Sequence, residues 1–321
     1  MGARFCILAV SAVALLAGCS GAGGGSVPNV RGAFVTRVTA TPQALIFAGM
    51  SVNGQDGVGE FRRGAVGNVE PMRKIAFSDI LVSLLRADSA DTFWGFFRKR
   101  NSYDNPTYYA VHFSSTFKVL GTVTANELTS AAVDRKGNVY GVVVDDNIAE
   151  YAAGSYGKKV LRQLTLPCCV ASPPALTVDA KGNLYASQYP STHNSSQLNI
   201  AVWGRSASGP APPKLQIPIG AAAPSEMRID AAGNLYAEFA TYGIANGIWR
   251  YAKGSTTPEW FLAGLPVAAF DVDGAGNVYA EVPTIGNDFA LEVFSPSGQM
   301  IAKIAGAKTR LGFPTGIAVT P

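Results

Sequence analysis

Residues 230–239 read Asp230-Ala-Ala-Gly-Asn-Leu-Tyr-Ala-Glu-Phe239. Nothing in that run marks catalysis, yet it returns three times: Asp134-Arg-Lys-Gly-Asn138-Val-Tyr140, Asp179-Ala-Lys-Gly-Asn183-Leu-Tyr185 and Asp273-Gly-Ala-Gly-Asn277-Val-Tyr279. The aspartates stand 45, 51 and 43 residues apart, and a weaker copy, Asp88-Ser-Ala-Asp91-Thr92-Phe-Trp94, precedes the first by 46. Self-similarity at this period marks a propeller or repeat array, whose units cannot bury their apolar faces alone.

One unit can be read strand by strand. Before each aspartate the apolar residues alternate (Ala131 and Val133, Leu176 and Val178, Met227 and Ile229, Phe270 and Val272), which is the period of a strand. Asp-x-x-Gly-Asn is a tight turn: the carboxylate accepts from amides two residues on, and Gly and Asn tolerate positive φ. The Val/Leu-Tyr run after it is a second strand. A third strand ends on an aromatic (Phe61, Phe113, Tyr151, Trp203, Tyr251, Phe294), and a fourth follows at 159–164, 214–219, 259–263 and 300–304. Four antiparallel strands per period make a propeller blade. No stretch carries the 3.6-residue period that a helical repeat requires.

Counting units predicts the closure. The C-terminal run from Thr315 to Thr320 matches a first strand and then stops. The N-terminal part opens at Ala44-Leu-Ile-Phe47, which matches a second strand, followed by third and fourth strands at 58–62 and 69–75. Each end supplies what the other lacks, so a composite blade removes two open sheet edges. With units starting near Ile80, Ser130, Ala175, Glu226 and Ala268, the expected fold is all-β, a six-bladed propeller of four-stranded antiparallel blades over residues 41–321.

The signature Pro314-x-Gly-Ile-Ala-Val319 together with Asp-x-x-Gly-Asn-Val/Leu-Tyr resembles the NHL-repeat family of β-propellers and related bacterial extracytoplasmic propellers. The resemblance covers residues 130–321 well and 42–125 loosely. It implies the fold and says little about activity, because propellers host binders, scaffolds and several enzymes.

The first residues carry an address. Arg4 precedes an apolar run from Phe5 to Leu16, followed by Leu16-Ala-Gly-Cys19-Ser20. That order is a secretory signal, with a run too short for a bilayer core that needs about 20 residues. Leu-Ala-Gly-Cys resembles the bacterial lipoprotein lipobox, which implies a signal peptide at 1–18 and acylation of Cys19. Residues 19–40 then read as a lipidated cysteine with a Gly/Ser-rich tether. By the same resemblance, Ser20 after the cysteine does not signal inner-membrane retention. The expected location is the cell envelope, on the outer membrane facing the periplasm or on the cell surface.

Without the signal the chain keeps 25 basic against 22 acidic side chains, a net charge of about +3 spread along its length. No nucleic-acid partner follows from so small a surplus. The expected partners are the membrane through Cys19 and an envelope protein or glycan, with the protein itself monomeric. Cys6 leaves with the signal and Cys19 is acylated, so Cys168 and Cys169 remain, adjacent and without another intrachain partner. They read as a strained vicinal disulfide, as two free thiols, as an intermolecular bond or as half of a soft-metal site.

Catalytic motifs are sparse. Two histidines, His112 and His193, exclude a multi-histidine metal centre, and neither a Walker loop nor a Gly-x-Ser-x-Gly elbow occurs. The repeat aspartates Asp134, Asp179, Asp230 and Asp273 stand alone at their turns and read as structural caps. Calcium-dependent gluconolactonase-like propellers gather acids and amides near the central channel. Here the positions two residues before each turn aspartate are Arg86, Ala132, Thr177, Arg228 and Asp271, with Ala318 in the closing strand. One acid is too few for a hard-cation cage, so neither metal nor cofactor is expected. Arg228 and Asp271 are placed to pair across the gap between neighbouring blades, with Glu226 on the same strand as Arg228. Their role is an interblade salt bridge or a ligand contact at the channel mouth. The expectation is a binding or scaffold module, with a gluconolactonase-like hydrolase or lyase as the alternative.

Overall fold

The computed structural model describes residues 45–87, 92–99, 107–124, 128–143, 147–166, 175–188, 198–220, 222–239, 247–284, 288–311 and 316–321. The expected signal, Cys19 and its tether lie outside them, as do Asp88, Asp91, Cys168, Cys169 and His193.

Six four-stranded antiparallel sheets form the propeller. Blade I consists of β1 (Leu45–Val52), β2 (Gln55–Arg62) and β3 (Arg73–Ala76), with β24 (Ile317–Val319) as its inner strand. Blade II is β4 (Ile80–Ala87), β5 (Phe93–Arg98), β6 (Tyr108–Phe113) and β7 (Val119–Val123). Blade III is β8 (Ser130–Val133), β9 (Val139–Val143), β10 (Asn147–Tyr151) and β11 (Val160–Thr165). Blade IV is β12 (Leu176–Val178), β13 (Leu184–Gln188), β14 (Leu198–Trp203) and β15 (Leu215–Gly220). Blade V is β16 (Glu226–Ile229), β17 (Leu235–Phe239), β18 (Gly247–Tyr251) and β19 (Pro258–Phe261). Blade VI is β20 (Ala269–Val272), β21 (Val278–Pro283), β22 (Phe289–Phe294) and β23 (Met300–Ile304). The fourth strand of blade I starts later than 69, because Pro71 carries no amide for a ladder.

The composite blade closes as the two chain ends require. Ile46, Phe47 and Ala48 stand opposite Val319, Ala318 and Ile317. Beyond the strands, Leu45 N donates to Thr320 Oγ1 at 2.7 Å and Gly49 N to the Gly316 carbonyl at 2.9 Å.

Burial explains why the strands read as nearly continuous apolar runs. A blade is covered on both faces, so alternate residues serve opposite gaps. In β1, Leu45 and Phe47 pack toward blade II, whereas Ile46 and Ala48 pack toward blade VI. Six apolar clusters fill the six gaps between blades. The gap between blades I and II is aromatic, with Phe47 stacked on Phe93 at 4.7 Å and Phe93 on Phe113 at 4.9 Å.

The repeated turn also spans elements. Asp134 Oδ1 accepts the amides of Lys136 and Asn138 at 2.8 and 2.9 Å, and Oδ2 accepts Asn138 Nδ2 at 2.8 Å. Asp273 repeats this with Ala275 and Asn277, whereas Asp230 Oδ1 accepts the amides of Gly233 and Asn234 and its Oδ2 accepts Asn234 Nδ2; the hydroxyls of Tyr236 and Tyr279 meet Asp230 and Asp273 at 3.3 Å. Asp179 binds Asn183 through both oxygens. Positive φ falls on Gly137, Gly182, Gly233 and Gly276 and not on the asparagines, whose side chains reach across to the outer hairpin. Thus Asn138 Oδ1 accepts the Ala153 amide at 2.9 Å. Neighbouring blades are latched outside the apolar clusters. Arg63 of blade I bonds Tyr279 and Asp273 of blade VI, and Arg162 of blade III reaches the carbonyls of Gly204 and Ala207 in blade IV.

Gly316 shows how tightly closure is specified. Its φ of +142° is outside the range of ordinary side chains, and an added Cβ would lie 2.2 Å from the Leu84 amide nitrogen. Gly316→Ala is expected to cost about 3 kcal/mol, combining backbone strain with a clash in packed strands. Gly64→Ala, at a φ of +85° with open space around it, bears the strain alone and is expected to cost about 1 kcal/mol. Equal melting points for the two variants would show that the approach to Leu84 is unimportant.

Candidate functional site

The inner strands β24, β4, β8, β12, β16 and β20 pack in succession around the axis. Each offers its unpaired edge to the central channel, where buried backbone groups need partners. Side chains of neighbouring inner strands supply some of them. Glu226 Oε2 of blade V accepts the Phe270 amide of blade VI at 2.9 Å. Asp271 Oδ2 of blade VI accepts the Val319 amide of the closing strand at 2.7 Å.

Arg228 binds these stitches together. Its guanidinium pairs with Glu226, and its Nε lies 3.2 Å from Asp271 Oδ1. It also donates to the Leu84 carbonyl at 2.8 Å. Leu84 belongs to blade II, which stands opposite blade V in a ring of six, so the arginine reaches across the channel. The structure therefore brings Glu226, Arg228 and Asp271 into one network. Arg86 lines the same channel, and its positive charge favours the ionised form of Asp271.

Arg228 lies where two cavities meet. At the turn end the channel narrows to about 60 Å³, lined by Arg86, Ala132, Thr177, Arg228 and Asp271 among others. Ala318 is not among them: it is buried with Phe47 and Phe93 between blades I and II, and Val319 takes the channel position. At the opposite end, where the inner strands begin, the mouth is a cavity of about 250 Å³. The hydroxyls of Ser83, Thr129, Ser130 and Ser225 and the carboxyls of Glu226 and Glu238 line it, beside apolar Leu85, Phe96 and Leu176.

Two of the acids near this mouth were not anticipated. Glu238 stands opposite Glu226 in the β16–β17 ladder and receives the Ser225 hydroxyl. Glu281, on β21, is fully buried beside the closing blade, and neither carboxyl oxygen has an aligned hydrogen-bond partner. A signal existed in the repeat. Eight residues after the turn aspartate come Val142, Ser187, Glu238 and Glu281, so blades V and VI place acids where blade III has an apolar residue.

Burial dominates their protonation. It pushes the Glu238 carboxyl up to about 7, with the Glu226 charge adding and the Ser225 hydroxyl opposing. It raises Glu281 well above the carboxylate range, again with the Glu226 charge adding. Glu226 and Asp271 are also raised by burial, against the opposing attraction of Arg228. The site can thus hold a protonated carboxyl, a hydrogen-bond donor, near neutral pH.

The remaining candidates are accounted for locally. The turn aspartates Asp134, Asp179, Asp230 and Asp273 sit in separate blades, engaged with their own turns. His112 stacks on Trp94 at 4.5 Å and meets Thr92 at 2.8 Å. Among the described residues no group of three or more His, Cys, Asp or Glu side chains is arranged to hold a metal ion.

No protein-family model and no curated protein sequence matches the chain. Solved structures do. TolB from Acinetobacter baumannii superposes with a TM-score of 0.61 at 10% identity, over 88% of this chain and 68% of that one. A candidate 6-phosphogluconolactonase from Bacteroides uniformis superposes with a TM-score of 0.50 at 10% identity, over 83% of this chain and 84% of that one. At such identity both likenesses concern the fold.

The raised carboxyls set a pH dependence. Glu238 and Glu281 hold protons more tightly in the folded protein than in the unfolded chain, so stability falls as pH rises above the ordinary carboxylate range. For Glu238 the fall levels off above about 7. Glu238→Gln is expected to remove a part of that slope of the order of 3 kcal/mol, read from urea midpoints between about pH 4 and about pH 8. An unchanged slope would place the titration on other groups.

Proposed function

We propose that the chain is a lipid-anchored extracytoplasmic binding module, an NHL-like propeller tethered through Cys19, that takes a small polar ligand at the channel mouth. The observation that carries this reading is the 250 Å³ cavity at the start of the inner strands, backed by the cross-channel arm of Arg228. Its walls are rigid strands bearing hydroxyls and carboxyls beside apolar side chains, the mixture that orients a small ligand. A single sugar unit of an envelope glycan matches this combination of size and hydrogen-bonding groups.

The alternative is a gluconolactonase-like hydrolase, and one observation favours it. A carboxyl raised to about 7 is suited to give or take a proton near neutral pH, and Glu238 lines the same cavity. The fold it shares with a candidate 6-phosphogluconolactonase is compatible with that chemistry and does not assign it.

The readings part experimentally. As a binding module, the protein is expected to give saturable calorimetric binding with monosaccharides or short glycans. Glu238→Gln should weaken it about tenfold, the loss of one hydrogen bond to a charged or partly charged group. Sugar lactones should be hydrolysed no faster than in buffer. Lactone hydrolysis with an apparent pKa near 7, lost in Glu238→Gln, would establish the enzyme instead. Absence of both binding and turnover would remove the mouth from consideration. The anchor has its own test: labelled palmitate is expected in the wild-type chain and not in Cys19→Ser.

A further inference from the structure

The basic residues are scattered in the sequence, but the fold collects many of them at one end of the ring. Within each blade the first and third hairpin turns lie together, as the Asn138 bond to Ala153 and the Asn234 bond to Lys253 show. In blades III and IV those turns expose Arg135, Lys136, Lys158, Lys159, Lys181 and Arg205. None of the six forms an ion pair among the described residues. The acids of the same sector are turned inward. Asp134 and Asp179 bind their own turns, and Glu150 is paired with Arg162.

Apolar side chains interrupt this basic surface. Lys118-Val119-Leu120 opens β7 and Lys159-Val160-Leu161 opens β11, so two neighbouring blades repeat a cation followed by two apolar residues at the turn end of their outermost strands. Val119 is 59% exposed, Leu120 46%, Val160 50% and Leu161 47%. The equivalent opening of β15 reads Leu215-Gln216 and that of β19 Pro258-Glu259; β23 opens on Met300-Ile301, 52% and 55% exposed, but after Gln299, so it is the coupling of a cation to the apolar pair that sets blades II and III apart.

We infer that the turn end of blades III and IV, together with the outer turn of blade II at Lys118–Leu120, is a docking surface for an anionic lipid bilayer. Lysine and arginine side chains attract anionic headgroups over about a Debye length, while the exposed valines and leucines enter the headgroup boundary. An acidic protein would need a complementary apolar recess opposite each exposed pair, whereas a bilayer accepts projecting aliphatic side chains without a matched surface. The combination of both features selects lipid. Docked in this way, the propeller would turn its channel mouth away from the bilayer, toward soluble or wall-bound ligands. The inference is independent of what the mouth binds and of whether Cys19 is acylated.

The test uses the mature chain, residues 19–321, carrying Cys19→Ser, so that neither the apolar signal run nor an acyl group contributes, in co-sedimentation with vesicles. Partition into phosphatidylethanolamine–phosphatidylglycerol vesicles is expected to exceed partition into neutral phosphatidylcholine by about tenfold or more, and to fall as salt rises. Lys136→Glu/Lys158→Glu/Lys159→Glu should abolish that preference, whereas Lys308→Glu/Arg310→Glu, in the loop before the closing strand, should keep it. Val160→Ser/Leu161→Ser, checked for an unchanged melting point, should lower binding severalfold. Equal partition into both vesicle types, or equal loss in the Lys308/Arg310 control, would overturn the inference. So would an undiminished preference in Val160→Ser/Leu161→Ser, which would mark a purely electrostatic surface for an acidic protein. If labelled palmitate enters the wild-type chain but Cys19→Ser shows no lipid preference, anchoring stands and docking falls.

Discussion

Three residues at the end of the chain, Ile317, Ala318 and Val319, pair with Ile46, Phe47 and Ala48 near the start of the described chain. Everything else in the ring depends on that pairing. Without it, blade I would lack its inner strand, blades VI and II would lose their packing against β24, and the clusters on either side would open to water. Hydrogen bonds alone do not account for its importance. Each contributes modestly in net terms, whereas leaving buried strand edges unpaired is costly. The close approach of Gly316 to Leu84 shows that the same junction also fixes how blade II seats on the closure.

Closure brings an electrostatic consequence to the axis. Inner strands in a ring have free edges that water reaches poorly, and Glu226 and Asp271 satisfy amides there at the expense of their own hydration. Arg228 offsets part of that desolvation by lying between the two carboxyl groups and crossing to the opposite blade. Glu238 and Glu281 lack an equivalent cation, and protonation is the remaining way to relieve their burial. The mouth is consequently built from groups that stability alone would not select, since one apolar side chain, Val142, fills the corresponding place in blade III. That departure from the repeat, rather than the repeated turns, is what distinguishes the mouth physically from the rest of the ring.

The two ends of the ring differ in kind. The mouth end is concave, with acids and hydroxyls around a cavity. Among the described residues, the turn end of blades III and IV and the outer turn of blade II expose cations and aliphatic side chains. Turn chemistry itself creates the difference. Aspartate is consumed within the tight turns, leaving the lysines and arginines at the turn tips uncompensated in solvent.

The blade was legible in the sequence because its determinants are local. A strand period of two, an Asp-x-x-Gly-Asn turn and a fixed repeat length recur in the sequence, and the missing strand at each terminus implied how the ring closes. The pairing of Arg228 with Asp271 was also legible, since equal offsets from the turn aspartate put the two residues at the same height on neighbouring blades. Glu238 and Glu281 were visible only as acids inside apolar strands, because their burial depends on packing against the next blade. Ala318 was misplaced by the same offset rule, since the closing strand has no turn aspartate to set its register. The reach of Arg228 to Leu84 joins residues 144 positions apart, and the basic sector joins turns of different blades. Sequence alone determined the repeating unit and its closure, because hydrogen bonding and hydrophobic period act between near neighbours. Only the tertiary structure decided which side chains share the axis, the mouth and the turn end, because those distances exist only after the ring has closed.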